Sequence, residues 1–70
     1  MSKVSEILKE PEFKPGGFVW KHIESKSPDP LRSVQSAVDR MRELHDIEDH
    51  EFNPLCQNIL SNLLEQVGKS

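Results

Sequence analysis

Two stretches of the chain share one pattern at the start of an apolar run. They are DPLRSVQSAVDRM, from Asp29, and NPLCQNILSNLLEQV, from Asn53. Asp or Asn before a helix accepts a hydrogen bond from a free backbone N–H group, and proline at the first helical position loses no intrahelical bond. The pattern therefore predicts two helices, at residues 30–46 and 54–67, with Asp29 and Asn53 as their N-caps.

Both predicted helices are amphipathic. Apolar residues of the first recur at intervals of three and four, and those of the second form a wider stripe that ends before Gly68. The first stripe comprises Leu31, Val34, Ala37, Val38, Met41 and Leu44. The second comprises Leu55, Cys56, Ile59, Leu60, Leu63, Leu64 and Val67. Two such helices joined by a short connection pack antiparallel, so we predict an all-α fold built on an antiparallel helical hairpin.

Residues 1–28 contain a short helix signal and a segment rich in proline and glycine. The stretch SKVSEILKE predicts two helical turns that end at Pro11. Pro15 and Gly16 then predict a turn. We expect this segment to pack on the hairpin of residues 29–70, so that the chain forms one domain.

The aromatic stretch after this turn fits two conformations. Phe18, Trp20 and His22 alternate as in a strand, whereas Val19 and Ile23 are spaced for one turn of helix. A lone strand finds nothing to pair with in so short a chain. We therefore expect an extended or short helical segment lying across the hairpin.

The chain of 70 residues is short for an independent core. A domain of this size recovers only about 60% of its unfolded surface on folding, and one neighbouring helix does not cover the wide leucine stripe. Either the N-terminal segment covers the rest of the stripe or another polypeptide does. We expect a homodimer that forms a helical bundle, or docking onto a different protein.

Cysteine content and hydropathy bear on the cellular location. Cys56 is the single cysteine, so no disulfide stabilises a monomer, and an unpaired thiol favours a reducing compartment. The first residues lack the apolar run of a signal peptide, and no apolar stretch reaches the length of about 18 residues that a membrane helix needs. We expect a cytoplasmic protein with no membrane segment.

The segment HDIEDHE, residues 45–51, most resembles a chemical site because it combines two histidines with four carboxylates. However, His45 and His50 are five residues apart and point to different faces of a helix. A zinc site would need further ligands, which only His22 or Cys56 could supply. We therefore favour an acidic connection between the two helices and expect no metal or other cofactor. A metal-dependent binding module centred on this segment is the alternative.

Charge and motifs give little support to nucleic-acid binding or to catalysis. The formal net charge is −3 and the basic residues are spread along the chain, although Arg32, Arg40 and Arg42 could form a local patch. A small nucleic-acid-binding regulator is thus a second alternative rather than our expectation. Cys56 could act as a nucleophile beside a histidine, but its leucine-rich surroundings favour a buried structural thiol. We expect no enzymatic activity.

Elimination leaves protein binding as the predicted function, in a regulator, an adaptor or an assembly subunit. Large rigid aromatic side chains supply binding energy at small entropic cost, and tryptophan is common among interface hot spots. Trp20 could serve in this way or could close the protein's own hairpin. The predicted protein-binding residues are Phe18, Trp20, Ile23, Leu60, Leu63 and Leu64.

Overall fold

A computed structural model describes residues 3–26 and 28–69 of the chain. Its four α-helices are α1 at Lys3–Ile7, α2 at Phe18–Glu24, α3 at Pro30–Arg40 and α4 at Asp49–Lys69. A 3-10 turn at Pro11–Phe13 lies between α1 and α2. No strand occurs within the described residues, and the predicted all-α class is confirmed.

The segment between α1 and α2 depends on two glycines. The predicted turn at Pro15 and Gly16 is confirmed: the N–H of Gly17 donates to the carbonyl of Lys14 at 2.8 Å, and φ of Gly16 is 88°. A β-carbon on Gly17 would lie 2.2 Å from the carbonyl oxygen of Pro11. Glycine at this position therefore lets the 3-10 turn lie directly against the start of α2.

The aromatic stretch that the sequence left ambiguous is helical. α2 turns Val19, Trp20 and Ile23 towards the interior, where all three are buried. A strand would place Phe18 and Trp20 on the same face, whereas a helix separates them by about 200° around its axis. Phe18 consequently lies on the exposed side of α2.

α3 begins at its predicted cap but ends earlier than predicted. The Asp29 carboxylate accepts a hydrogen bond at 3.3 Å from a backbone N–H of the first turn, which confirms the N-cap. Regular helix stops at Arg40, and turns carry the chain on to Asp46. Asp46 has a φ of 52°, and the N–H of Ile47 donates to the carbonyl of Arg42 at 2.9 Å, which is a Schellman ending. The helix prediction to residue 46 is wrong in its last six residues, although residue 46 does end the helical turns.

α4 begins five residues before the predicted start. The prediction that Asn53 is the N-cap is wrong, because the helix starts at Asp49 and includes Asn53 and Pro54. The Glu51 carboxylate accepts a hydrogen bond at 2.8 Å from the backbone N–H of Glu48, as the acidic residue of a capping box does. This cap starts the helix so early that Pro54, which has no N–H to donate, falls in its second turn.

α4 is the longest of the described helices, and the other three pack against it. It continues to Lys69, past its predicted end before Gly68. α3 packs against α4, α2 contacts both of these helices, and α1 packs against α4. The buried apolar residues are Ile7, Phe13, Val19, Trp20, Ile23, Val34, Ala37, Val38, Met41, Ile47, Leu55, Cys56, Ile59 and Leu63. The N-terminal segment thus covers much of the apolar stripe of α4.

Candidate protein-binding groove

A shallow groove lies between α2 and the first half of α3. Its volume is about 290 Å³, and it is lined by Phe18, His22, Pro28, Asp29, Arg32, Ser33 and Ser36. We call this surface the α2–α3 groove. It combines an apolar wall with a few polar and charged groups, which is the composition typical of binding sites.

Phe18 forms the apolar wall of the groove. It is 43% exposed, whereas Trp20, on the inner face of α2, is 6% exposed. The Phe18 ring is tilted against the imidazole of His22, with 4.5 Å between the ring centroids. The guanidinium carbon of Arg40 lies 6.0 Å from the Phe18 centroid, at the outer limit of a cation–π contact. These neighbours restrict the position of an exposed ring, and such preorganisation favours binding.

The floor of the groove contains a hydrogen bond between α2 and α3. Nδ1 of His22 and Oγ of Ser33 are 2.5 Å apart, and Ser33 is buried. A buried hydroxyl without a partner would destabilise the fold, so this bond helps to fix the position of α2 on α3. Ser36 is exposed and lines the same groove nearly one turn further along α3. The groove therefore has a polar floor beside its apolar wall.

Two arginines form what we call the basic rim: Arg32 lines the groove, and Arg40, at the end of α3, lies near the Phe18 ring. Arg32 and Arg40 are exposed and share one side of α3 with Ser36, because the three residues are spaced by four. Among the residues that the structure describes, no carboxylate lies within ion-pair distance of either guanidinium. The groove's own carboxylate, Asp29, accepts the capping bond of α3. The rim is positive in a chain whose net charge is −3.

The six predicted protein-binding residues divide into two groups. The buried ones are Trp20, Ile23 and Leu63. Those with exposed surface are Phe18 and Leu64, with Leu60 partly buried against the core. The first group belongs to the protein's own core, so in this fold it offers no surface to a partner. Of the two roles that the sequence allows for Trp20, closing the protein's own core is the one observed.

A second apolar surface lies along α4, and we call it the leucine flank. It consists of Leu60, Leu64 and Val67, whose spacing of four and three places them on one side of the helix. Leu64 is 48% exposed, while the other two pack partly against the core. The leucine flank is narrower than the stripe seen in the sequence, because α3 and the N-terminal helices α1 and α2 pack against α4.

The acidic segment, residues 45–51, connects the turns after α3 to α4. Nζ of Lys3 donates hydrogen bonds to Oε1 of Glu51 at 2.5 Å and to the carbonyl oxygen of Asp46 at 2.6 Å. The hydrogen bond with Glu51 raises the pKa of Lys3, and it lowers the pKa of Glu51, which the Glu48 N–H lowers further. α1 is thereby attached to the start of α4.

The other charges of the acidic segment do not converge on one point. Arg42 forms an ion pair with Asp49, and its guanidinium carbon lies 5.2 Å from the centroid of the Phe52 ring. Within residues 3–26 and 28–69, no group of three His, Cys, Asp or Glu side chains is arranged to hold a metal ion. The observed contacts of the segment are those of a connection between helices.

Two further reactive groups lie inside the fold. Nε2 of His45 is buried with no hydrogen-bond partner in the described part of the chain, and Oε1 of Glu10 lies 3.7 Å from it. Cys56 is buried in the core, and burial raises the pKa of its thiol to about 11. A thiol with this pKa stays protonated at neutral pH, so Cys56 is a poor nucleophile.

Sequence reasoning identified Phe18 but not the groove around it. His22, Ser33 and Ser36 carry no signal of their own, because the groove exists only where α2 lies on α3. The available signal is the repeat of Arg32, Ser36 and Arg40 at intervals of four, which indicates a polar side of α3. That repeat predicts a polar surface on α3, but it does not predict that Phe18 of α2 lies next to this surface.

Comparisons with known proteins do not assign the chain to a family. No model of a protein family matches it, and neither a curated protein nor a solved structure is significantly similar to it. Across the described residues, none of the helices combines the length and the apolar character needed to cross a membrane. The chain is an all-α protein with a shallow groove between α2 and α3.

Proposed function

We propose that the protein acts by binding other proteins, as a regulator, an adaptor or an assembly subunit, and that the α2–α3 groove is its binding surface. The observation that carries this proposal is the exposed ring of Phe18 in the wall of the groove. Phe13 and Trp20 are buried in the core, whereas this ring lies outside it. An exposed aromatic side chain beside polar groups is typical of an interface hot spot, because binding removes its surface from water.

The groove suits a segment of polypeptide better than a small metabolite. Its volume of about 290 Å³ is at the lower end of the range for ligand pockets, and it lies at the surface. A small molecule there would keep much of its own surface in water. A polypeptide extends beyond the groove, so it can pack on Phe18, bond to the polar floor and reach the basic rim together.

Selection from a phage-displayed library of random short peptides tests this proposal. We expect the immobilised full chain to enrich peptides that bind the Leu64→Ala variant normally and lose binding to Phe18→Ala. The two variants are matched, because each shortens an exposed apolar side chain on a different helix. Circular dichroism verifies that both remain folded. No enrichment, or peptides that bind both variants equally well, would reject the groove as the binding surface.

Self-association through the leucine flank is a second candidate function. The observation in its favour is Leu64, which is exposed between Leu60 and Val67 on one side of α4. A second copy that packs the same flank against this one would form the dimeric bundle predicted from the sequence. Sedimentation at several concentrations should then show a dimer that Leu64→Asp dissociates and Phe18→Asp does not. A monomer at every concentration would exclude it.

We also infer that α3 and α4 form the antiparallel hairpin predicted from the sequence. The support is their mutual packing across a connection in which turns occupy residues 41–46, so that only Ile47 and Glu48 remain to join the helices. So short a connection favours antiparallel neighbours. Nuclear Overhauser effects between Leu31 and Val67 are expected, whereas effects between Leu31 and Leu55 would indicate the parallel arrangement.

A cytoplasmic location is part of the same proposal. Its support is Cys56, the single cysteine, which is a free and buried thiol suited to a reducing compartment. A fluorescent fusion of the full chain should distribute with cytoplasmic markers. Accumulation of the fusion in a secretory compartment would contradict this part of the proposal.

A further inference from the structure

We propose that the α2–α3 groove selects acidic segments of the partner protein, an inference that rests on the protein-binding function proposed above. In this arrangement an apolar side chain of the partner packs against Phe18 and Pro28. Carboxylates on either side of that apolar residue pair with Arg32 and Arg40. The recognised feature is therefore an aromatic or aliphatic residue flanked by aspartate or glutamate.

Charge complementarity supports an acidic occupant. Arg32 and Arg40 have no carboxylate partner among the described residues, and Lys21 is exposed three residues after Phe18 on α2. One carboxylate, Asp29, lines the groove and caps α3, so the three cations outnumber it. Guanidinium groups bind carboxylates through two parallel hydrogen bonds, so a free pair of arginines favours a doubly acidic ligand.

The spacing of the rim defines the length of the recognised segment. Arg32 and Arg40 are eight residues apart on α3, which corresponds to about 12 Å along the helix axis. Phe18 is near both positions, since it lines the groove with Arg32 and has the Arg40 guanidinium carbon 6.0 Å from its ring centroid. A partner helix of about two turns, or an extended segment of about four residues, covers the same distance.

The sequences of the selected peptides test this inference. We expect the peptides that require Phe18 to carry at least one aspartate or glutamate on each side of an aromatic or leucine residue. The double variant Arg32→Glu and Arg40→Glu should bind a synthetic copy of the most enriched peptide roughly tenfold more weakly, or weaker still. The matched control is the double variant Lys9→Glu and Lys14→Glu, which reverses two exposed charges outside the groove lining and should leave affinity unchanged. Binding should also weaken as salt is added.

The outcomes separate this inference from the proposed function. Peptides that require Phe18 but lack acidic residues, or that bind the double variant as well as the natural chain, would overturn the acidic preference and leave the groove as a protein-binding surface. No peptide that requires Phe18 would overturn both. A labelled poly(U) RNA that binds the natural chain and not the double variant would overturn the inference in favour of a nucleic-acid ligand.

Discussion

In the acidic segment, residues 45–51, charged side chains bind to one another and to the backbone, whereas in the α2–α3 groove they face solvent. Glu51 caps the start of α4 and bonds to Lys3. Arg32 and Arg40 have no carboxylate partner in the part of the chain that the structure describes. A dense cluster of charged residues in a sequence can thus serve to join two helices. Residues from two separated stretches form the exposed groove between α2 and α3.

The largest loss of stability is expected from a substitution on the buried side of α2, which packs in the core beneath the groove. Trp20→Ala creates a cavity and should lower the free energy of unfolding by about 3–5 kcal/mol, enough to unfold much of a domain this small. Phe18→Ala, on the outer face of the same helix, should lower it by less than about 1 kcal/mol. Guanidinium denaturation measures both variants. Equal losses would show that α2 does not have separate structural and binding faces.

The floor of the groove should show a smaller effect on stability. Ser33→Ala removes the buried partner of His22 and should lower the free energy of unfolding by about 1–3 kcal/mol. Ser36→Ala is the matched control, because it removes an exposed hydroxyl from the same helix and should change stability by less than about 0.5 kcal/mol. Urea denaturation gives both values. If the two serines behave alike, the bond between α2 and α3 does not hold the groove together.

Substitutions in the acidic segment should lower the stability of the fold by a smaller amount, and this loss should depend on pH. The hydrogen bond from Lys3 lowers the pKa of Glu51, so Glu51 stabilises the fold above its usual pKa and loses this contribution as the pH falls through the lowered value. The raised pKa of Lys3 has the opposite sign, so its contribution is lost only as the pH rises through that value.

We expect Glu51→Gln to lower the unfolding temperature at neutral pH and to match the natural chain in strong acid. Glu43→Gln, which changes an exposed glutamate in the turns after α3, is the control and should have no effect at either pH. Thermal unfolding followed by circular dichroism provides the comparison. A difference between Glu51→Gln and the natural chain that persists unchanged in acid would contradict the assigned role of the carboxylate.

Adding zinc should have the smallest effect on helix content and stability. Since the described His, Cys, Asp and Glu side chains form no group of three ligands, a stoichiometric amount of zinc is expected to leave helix content and unfolding temperature unchanged. Circular dichroism during a zinc titration measures both quantities. A cooperative rise in either would make the acidic segment a metal site and remove the contrast with the groove.

Features that depend on neighbouring residues could be predicted from the sequence. The Asp29 cap and the turn at Pro15 and Gly16 are examples, because the side chain or the backbone geometry that stabilises each one lies within a few residues. The apolar periodicity of α3 and α4 was sufficient for the all-α class. The period of a helix is also sufficient to place Phe18 and Trp20 on different sides of α2, once that stretch is known to be helical.

Features that depend on distant residues could not be predicted. Two helix starts compete near the beginning of α4, one at Asn53 and one at Glu48. Asparagine is a preferred N-cap residue, whereas the start at Glu48 depends on the Glu51 carboxylate that accepts its N–H. The second is observed, and Glu51 there also binds Lys3, which lies far away in the sequence. The groove could not be predicted for the same reason, because it forms only where α2 packs on α3 and both Phe18 and Ser36 line it.

Chemical-shift mapping tests the central claim, that the α2–α3 groove is the binding surface, most directly. The ¹⁵N-labelled full chain would be titrated with a synthetic copy of the most enriched peptide. If the groove is the binding surface, the largest changes in amide shift occur at Phe18, His22, Arg32 and Ser36. The largest changes along the leucine flank or in the acidic segment, with the groove unaffected, would contradict it.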